Sequence, residues 1–214
     1  MTRYNRRAIT LAIALSTLAG YVDANGFLSA GGVFVSFMSG NSTRLGIAVA
    51  RGHWDYVALS VEVVGLFVLG VIVGTVLARR TGRLRKPSVL ILVAVLLTAA
   101  ASAQAFHQSR LTLGLLLLAM GAENAVFQRG GEVSIGLTYV TGALVRVGQR
   151  IAAIVDGGPR WAWTPYALLW LGLIVGASSG AYVHNEYPLV GLWPAVGFTV
   201  ILALFAFRIR PQFD

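Results

Sequence analysis

The sequence predicts an all-α, polytopic integral membrane protein. About six transmembrane helices are expected, as two inverted three-span repeats, each with a broken or re-entrant segment. Three observations predict this. The 214-residue chain is 57% hydrophobic and only 12% charged, with a mean hydropathy of +0.74. Soluble domains carry roughly 25% charged residues, so there is too little polar surface here to cover a soluble globule. The charges fall in short clusters between apolar runs. Finally, the chain repeats itself: residues 36–46 read SFMSGNSTRLG and residues 138–148 read TYVTGALVRVG, an offset of 102. Gly40 pairs with Gly142, Arg44 with Arg146 and Gly46 with Gly148. The same offset relates the runs 69–74 and 171–176, and Gly20, Asp23 and Ala24 match Gly121, Asn124 and Ala125 one residue out of step. Residues 1–107 and 108–214 are therefore read as two repeats of one membrane domain.

Each repeat contains four apolar segments: 8–28, 33–50, 56–78 and 89–106, then 111–127, 133–155, 163–183 and 189–207. Crossing a hydrocarbon core of about 30 Å takes roughly 20 helical residues. The first, third and fourth segments of each repeat reach or approach that length. The first has the outline of a signal peptide, with Arg3, Arg6 and Arg7 before an apolar run. As the counterpart of 111–125, it is expected to be retained. The second segment differs. Gly31-Gly32 and Gly130-Gly131 open its two copies, and Ser39-Gly40-Asn41-Ser42 and Thr141-Gly142 interrupt them. Glycine is a poor helix former, whereas Ser, Thr and Asn favour N-caps. A short helix starting near Ser39 or Thr141 and ending about residue 50 or 155 follows.

Charge decides whether this segment crosses. If it dips in and returns, the cluster Arg79, Arg80, Arg83, Arg85 and Lys86 is cytoplasmic, with both termini on the same side. If it crosses, that cluster lies outside. The re-entrant topology fits the positive-inside rule. A fully spanning segment, or six helices with irregular loops, remains the alternative.

Non-helical backbone at membrane depth is tolerated where protein buries it or where it lines a polar cavity. Two facing helix starts would each present about half a positive elementary charge, which suits an anion or carboxylate. Arg44 and Arg146 would add to it. Arginine at bilayer depth costs roughly 2.5–3.5 kcal/mol on insertion scales. Ser39, Gly40, Asn41, Arg44, Thr141, Gly142 and Arg146 are therefore candidate solute-binding residues; the alternative has each arginine pairing locally and holding the broken helix. Asp23, Glu62, Glu123 and Asn124 are candidate coupling or path-lining residues. Asp23 also suits a structural role, capping the broken segment or pairing with Arg44. Gly70/Gly74 and Gly172/Gly176 allow close helix approach, inside the chain or between copies. Ser178-Ser179 reads as a packing surface.

Other chemistry is weakly signalled. There is no cysteine, and His53, His107 and His184 lack metal-ligand spacing. No nucleophile elbow, P-loop or dinucleotide fingerprint occurs. Neither enzyme activity nor a cofactor is expected. The net charge of +9 lies in membrane-flanking clusters, so no nucleic-acid partner is expected.

Gly20, Asp23 and Ala24 followed by the Phe-Met-Ser39-Gly40-Asn41 stretch, with Asn124-Ala125 and Thr141-Gly142, resemble the YoaK-like family of small bacterial membrane proteins. The resemblance implies a six-span protein of the bacterial inner membrane without an assigned substrate. Ala143 stands where the first copy has Asn41, which departs from a site with two amides. The leading expectation is a small-solute transporter or channel with a central site between the repeats. The alternative is a non-transporting scaffold or accessory subunit.

Overall fold

The computed structural model describes residues 6–129, 132–133 and 140–209. They form helices α1 (Arg6–Ser29), α2 (Met38–Ala50), α3 (Trp54–Thr81), α4 (Arg85–Ala105), α5 (Ser109–Glu123), α6 (Val140–Val155), α7 (Thr164–Glu186) and α8 (Trp193–Phe207). A 3-10 turn, Asn124–Phe127, extends α5. The strands β1 (Gln128–Arg129) and β2 (Glu132–Val133) pair antiparallel over two residues each. The protein is thus helical, as its composition predicts.

Four stretches are long and apolar enough to cross a bilayer: Arg6–Ser29, Trp54–Ala105, Ser109–Phe127 and Thr164–Glu186. The second, at 52 residues, would make a rod of about 78 Å at 1.5 Å per residue. It is instead a hairpin: Gly82 takes a φ of +49° between α3 and α4, and the two helices then pack together. The arginine cluster occupies that turn. Trp193–Phe207 is a shorter apolar helix. Large side chains such as Ile72, Val76, Val175, Ile201 and Leu204 are exposed on the outside, which suits lipid and not water.

The second segment of the first repeat is not one continuous helix. Residues 31–37 are non-helical, and α2 has 13 residues, about 20 Å and too short to span. The helix begins at Met38, one residue before the expected break. Its N-cap position is Phe37, without a side-chain cap, so Ser39 sits inside the first turn. In the second repeat α6 begins at Val140, next to the expected Thr141. Gly130, Gly131 and residues 134–139 lie outside the described residues.

The two repeats interlock: α1 packs on α7 and α3 on α5. α2 rests on α3 and α6 on α7, while α4 contacts α5 and α8. Polar groups tie α1 to the second repeat. Ser16 donates to Leu169 O at 2.9 Å, Asn25 to Gly180 O at 3.2 Å and Tyr21 to Gly191 O at 2.6 Å.

Glycines make these contacts possible. A Cβ at Gly74 would lie 2.8 Å from Ala122 Cα, and one at Gly70 or Gly176 would overlap the backbone of Leu118 or Thr17. The Gly70/Gly74 and Gly172/Gly176 faces are therefore consumed within the chain. They do not serve as oligomer surfaces, because their contact area is already filled by α5 and α1.

The two glycine contacts are not in the same register. Gly74 lies on Ala122, while its counterpart Gly176 lies on Thr17, and Gly180 lies on Tyr21, the counterpart of Ala122. Independently, Gly121 faces Phe67 and Val71, while Gly20 faces Leu173 and Ala177, the counterparts of Val71 and Thr75. Both comparisons place α7 four residues along α1 relative to α3 along α5.

Candidate functional site

The site is organised by the bend between α1 and α2. Gly31 and Gly32 have φ of +63° and +84°, a left-handed conformation that glycine adopts without strain. They turn the chain back along α1, and the following backbone, buried in protein, needs polar partners. Asp23 provides them. Its carboxylate accepts from Val35 N at 2.7 Å, from Ser36 N at 2.8 Å and from the Ser36 hydroxyl. Asn41 donates to Phe34 O at 2.7 Å and accepts from Phe34 N at 3.2 Å. Phe27, Phe34 and Phe37 stack beside it, with centroid separations of 4.8 and 5.3 Å. Asp23 thus holds the bend and does not pair with Arg44, because its oxygens are taken by the bend's own donors.

Asn41→Ala would leave the Phe34 N–H and C=O without these partners. A loss of about 1–3 kcal/mol is expected for such orphaned groups. In a chain this size that lowers Tm by about 2–4 °C per kcal/mol. Thermal unfolding in detergent measures it, and an unchanged Tm would mean that the amide does not hold the bend.

The bend borders a cavity of about 660 Å³ between the repeats. Asp23, Phe34, Ser36 and Phe37 line it from the first repeat, and Thr141, Leu144 and Ser178 from the second. Its walls are mostly apolar. Ser178 faces this space and is not merely a packing residue. Glu123 has 0% relative exposure and no hydrogen-bond partner on either carboxyl oxygen. It lies within electrostatic reach of Asp23. Asn124 is buried beside it and donates to Met120 O at 2.9 Å.

The remaining candidates are elsewhere. Ser39 is exposed, and Gly40 packs under the Phe37 ring. Gly142 sits in the first turn of α6. Arg44 lies against Gly32 and lines a separate cavity of about 420 Å³ between α2 and α3. Arg146 sits 5.6 Å above the Tyr166 ring on α7. Neither arginine lines the space between the repeats, so the geometry forms no paired arginine clamp there. The reason is azimuthal: Asn41, Arg44, Ala48 and Arg51 recur at helical spacing on one side of α2, and that side faces α3. Glu62 pairs with Arg110 at 2.8 Å on the exposed α3–α5 surface, away from both cavities. Ser36 and the phenylalanine trio were not anticipated. Their 27-34-37 spacing crosses a glycine turn, so no helical period marks it.

These features define a multi-pass helical membrane protein with an open cavity lined from both halves of its sequence. A family model described as "Protein of unknown function (DUF1275)" matches residues 11–205. The chain belongs to that family. It is 36% identical over 201 residues to UPF0700 transmembrane protein RA0705 of Rhizobium meliloti (strain 1021), covering 94% of this chain and 87% of the relative. It is 30% identical over 150 residues to UPF0700 transmembrane protein YoaK of Bacillus subtilis (strain 168), covering 67% of each. The YoaK-like resemblance read from the motifs therefore holds. No solved structure matches.

Proposed function

We propose that the protein is a small-solute transporter of the bacterial inner membrane whose central site is the cavity between the repeats. The observation that carries this reading is that cavity: both repeats supply its walls, and a carboxylate sits at its edge. α1, α3, α4, α5 and α7 cross, and α8, shorter but without a charged residue, makes the sixth crossing, whereas α2 and α6 carry arginines; the repeats insert in opposite orientations. The turn between α3 and α4, with its arginines, faces the cytoplasm with both termini, in keeping with the positive-inside rule. The one-turn difference between the two glycine contacts supports a carrier, because inverted repeats alternate access by exchanging conformations. Among the described residues no arginine lines the cavity, which favours a largely apolar, neutral or cationic solute over an anion. Glu123 is the coupling group, taking up and releasing a proton as the solute comes and goes, while Asp23 stays committed to the bend. Intramembrane carboxyls of this kind mark ion and proton paths.

The test is reconstitution into liposomes loaded with a pH-sensitive dye and exposed to small amines, alcohols and carboxylates. An amine or alcohol should evoke a change of internal pH that saturates with concentration. Ser178→Trp, on an exposed lining position, fills the cavity and should reduce the rate about tenfold or more, with folding retained, as for loss of a binding geometry. A cavity-filled variant that transports at the normal rate would refute the site. No response to any solute class would refute the function.

A further inference from the structure

The second cavity has a different chemistry. About 420 Å³ in volume, it is lined by Arg44 and Arg51 with Asn41, His53, Tyr56 and Ser60. Among the described residues no carboxylate lines it. Glu62, the acid nearest in sequence on α3, pairs with Arg110 and is turned away from the cleft. Beside the cleft the Arg44 guanidinium rests against Gly32, where a Cβ would come within 3.1 Å of its Nη1. Arg44 and Arg51 are seven residues apart on one face of α2, about 10 Å along the axis. Two side chains of that length can converge on one ligand. Trp54 and Tyr56 are largely exposed at the same end of α3, as residues at a bilayer interface are. That end is the far one from Arg79 and Arg80.

We propose that this cleft is an anion site for a phosphate group, held between the Arg44 and Arg51 guanidiniums. Guanidinium forks bind phosphate through paired, charge-assisted hydrogen bonds, and Ser60 and Tyr56 hydroxyls complete the donor set. The site belongs to the first repeat alone: Ala153, Val155 and Gly158 stand at the counterparts of Arg51, His53 and Tyr56. It is therefore independent of the cavity between the repeats and of the transport reading. The phosphate is either a free one or a phospholipid headgroup.

Two arms separate these sources. In uncharged detergent at constant ionic strength, inorganic phosphate should raise Tm saturably, since a ligand of the native state stabilises it. In nanodiscs, phosphatidylglycerol should raise Tm over phosphatidylcholine if the headgroup is the ligand. Arg51→Gln should weaken whichever effect is seen about tenfold or more, as expected for one arm of a charge-assisted pair. Arg160→Gln, an exposed arginine elsewhere, should leave it unchanged. A phosphate effect dependent on Arg51 assigns a free ligand, and a lipid effect dependent on Arg51 assigns the headgroup. Absence of both effects, or equal losses in the two variants, would overturn the site.

Discussion

Gly176→Leu should detach α1 from α7 and cause the largest loss of stability of any single change on α7. The glycine is buried, and a Cβ there would overlap the Thr17 carbonyl. The obstacle is backbone, which cannot rotate away. Overpacking of a core costs about 1–3 kcal/mol when neighbours can adjust, and here they cannot, so the upper end or more is expected. At about 2–4 °C per kcal/mol, Tm should fall by about 10 °C, or the protein should elute as aggregate. Gly65→Leu is the control, since nothing lies within 4 Å of a Cβ at that position on α3. Matching unfolding curves for the two variants would mean that α1 and α7 do not touch backbone to backbone.

Glu123→Leu should do the opposite to stability while abolishing transport. The wild-type carboxyl is fully buried and neither oxygen has a donor. Such a group carries an uncompensated desolvation cost of about 1–3 kcal/mol. An apolar side chain of similar size removes that cost, so Tm should hold or rise. Proton-coupled flux should disappear, because Glu123 is the coupling group of the proposed site. This pairing of a stable fold with lost activity is the mark of a residue kept for function at the expense of stability. A leucine variant that still moves protons with solute would locate coupling elsewhere. A collapse of Tm would show that Glu123 has a structural partner.

Much of the fold is legible in the composition and the repeat. The apolar segments locate the helices within a few residues, and the Ser39 and Thr141 breaks lie next to the observed starts of α2 and α6. Gly70 and Gly74 signal close helix contact, and the structure supplies the partner, α5. The candidate site is less legible. Residue spacing places Arg44 on the same side of α2 as Asn41, but it carries no information about where that side points. A rotation of the short helix decides between a central clamp and a cleft against α3. Asp23 illustrates the same limit: the sequence marks an acid in an apolar run, and only the path of residues 31–37 shows that its oxygens meet Val35 and Ser36. Glu62 reads as a buried acid because its neighbours are apolar, yet it faces Arg110 across a surface.

The glycine ladder of α7 has three rungs, Gly172, Gly176 and Gly180, where α3 has two before Ala78. Thr17 sits against the middle rung, and Tyr21 against the last. Moving α1 back by four residues would seat Thr17 on Gly172 and Tyr21 on Gly176, the arrangement already present between α5 and α3. Each seat replaces glycine by glycine, and the bonds from Ser16, Tyr21 and Asn25 to Leu169, Gly191 and Gly180 would be exchanged. On such a three-notch rack a second seating of α1 would lie about 6 Å along from the one it occupies.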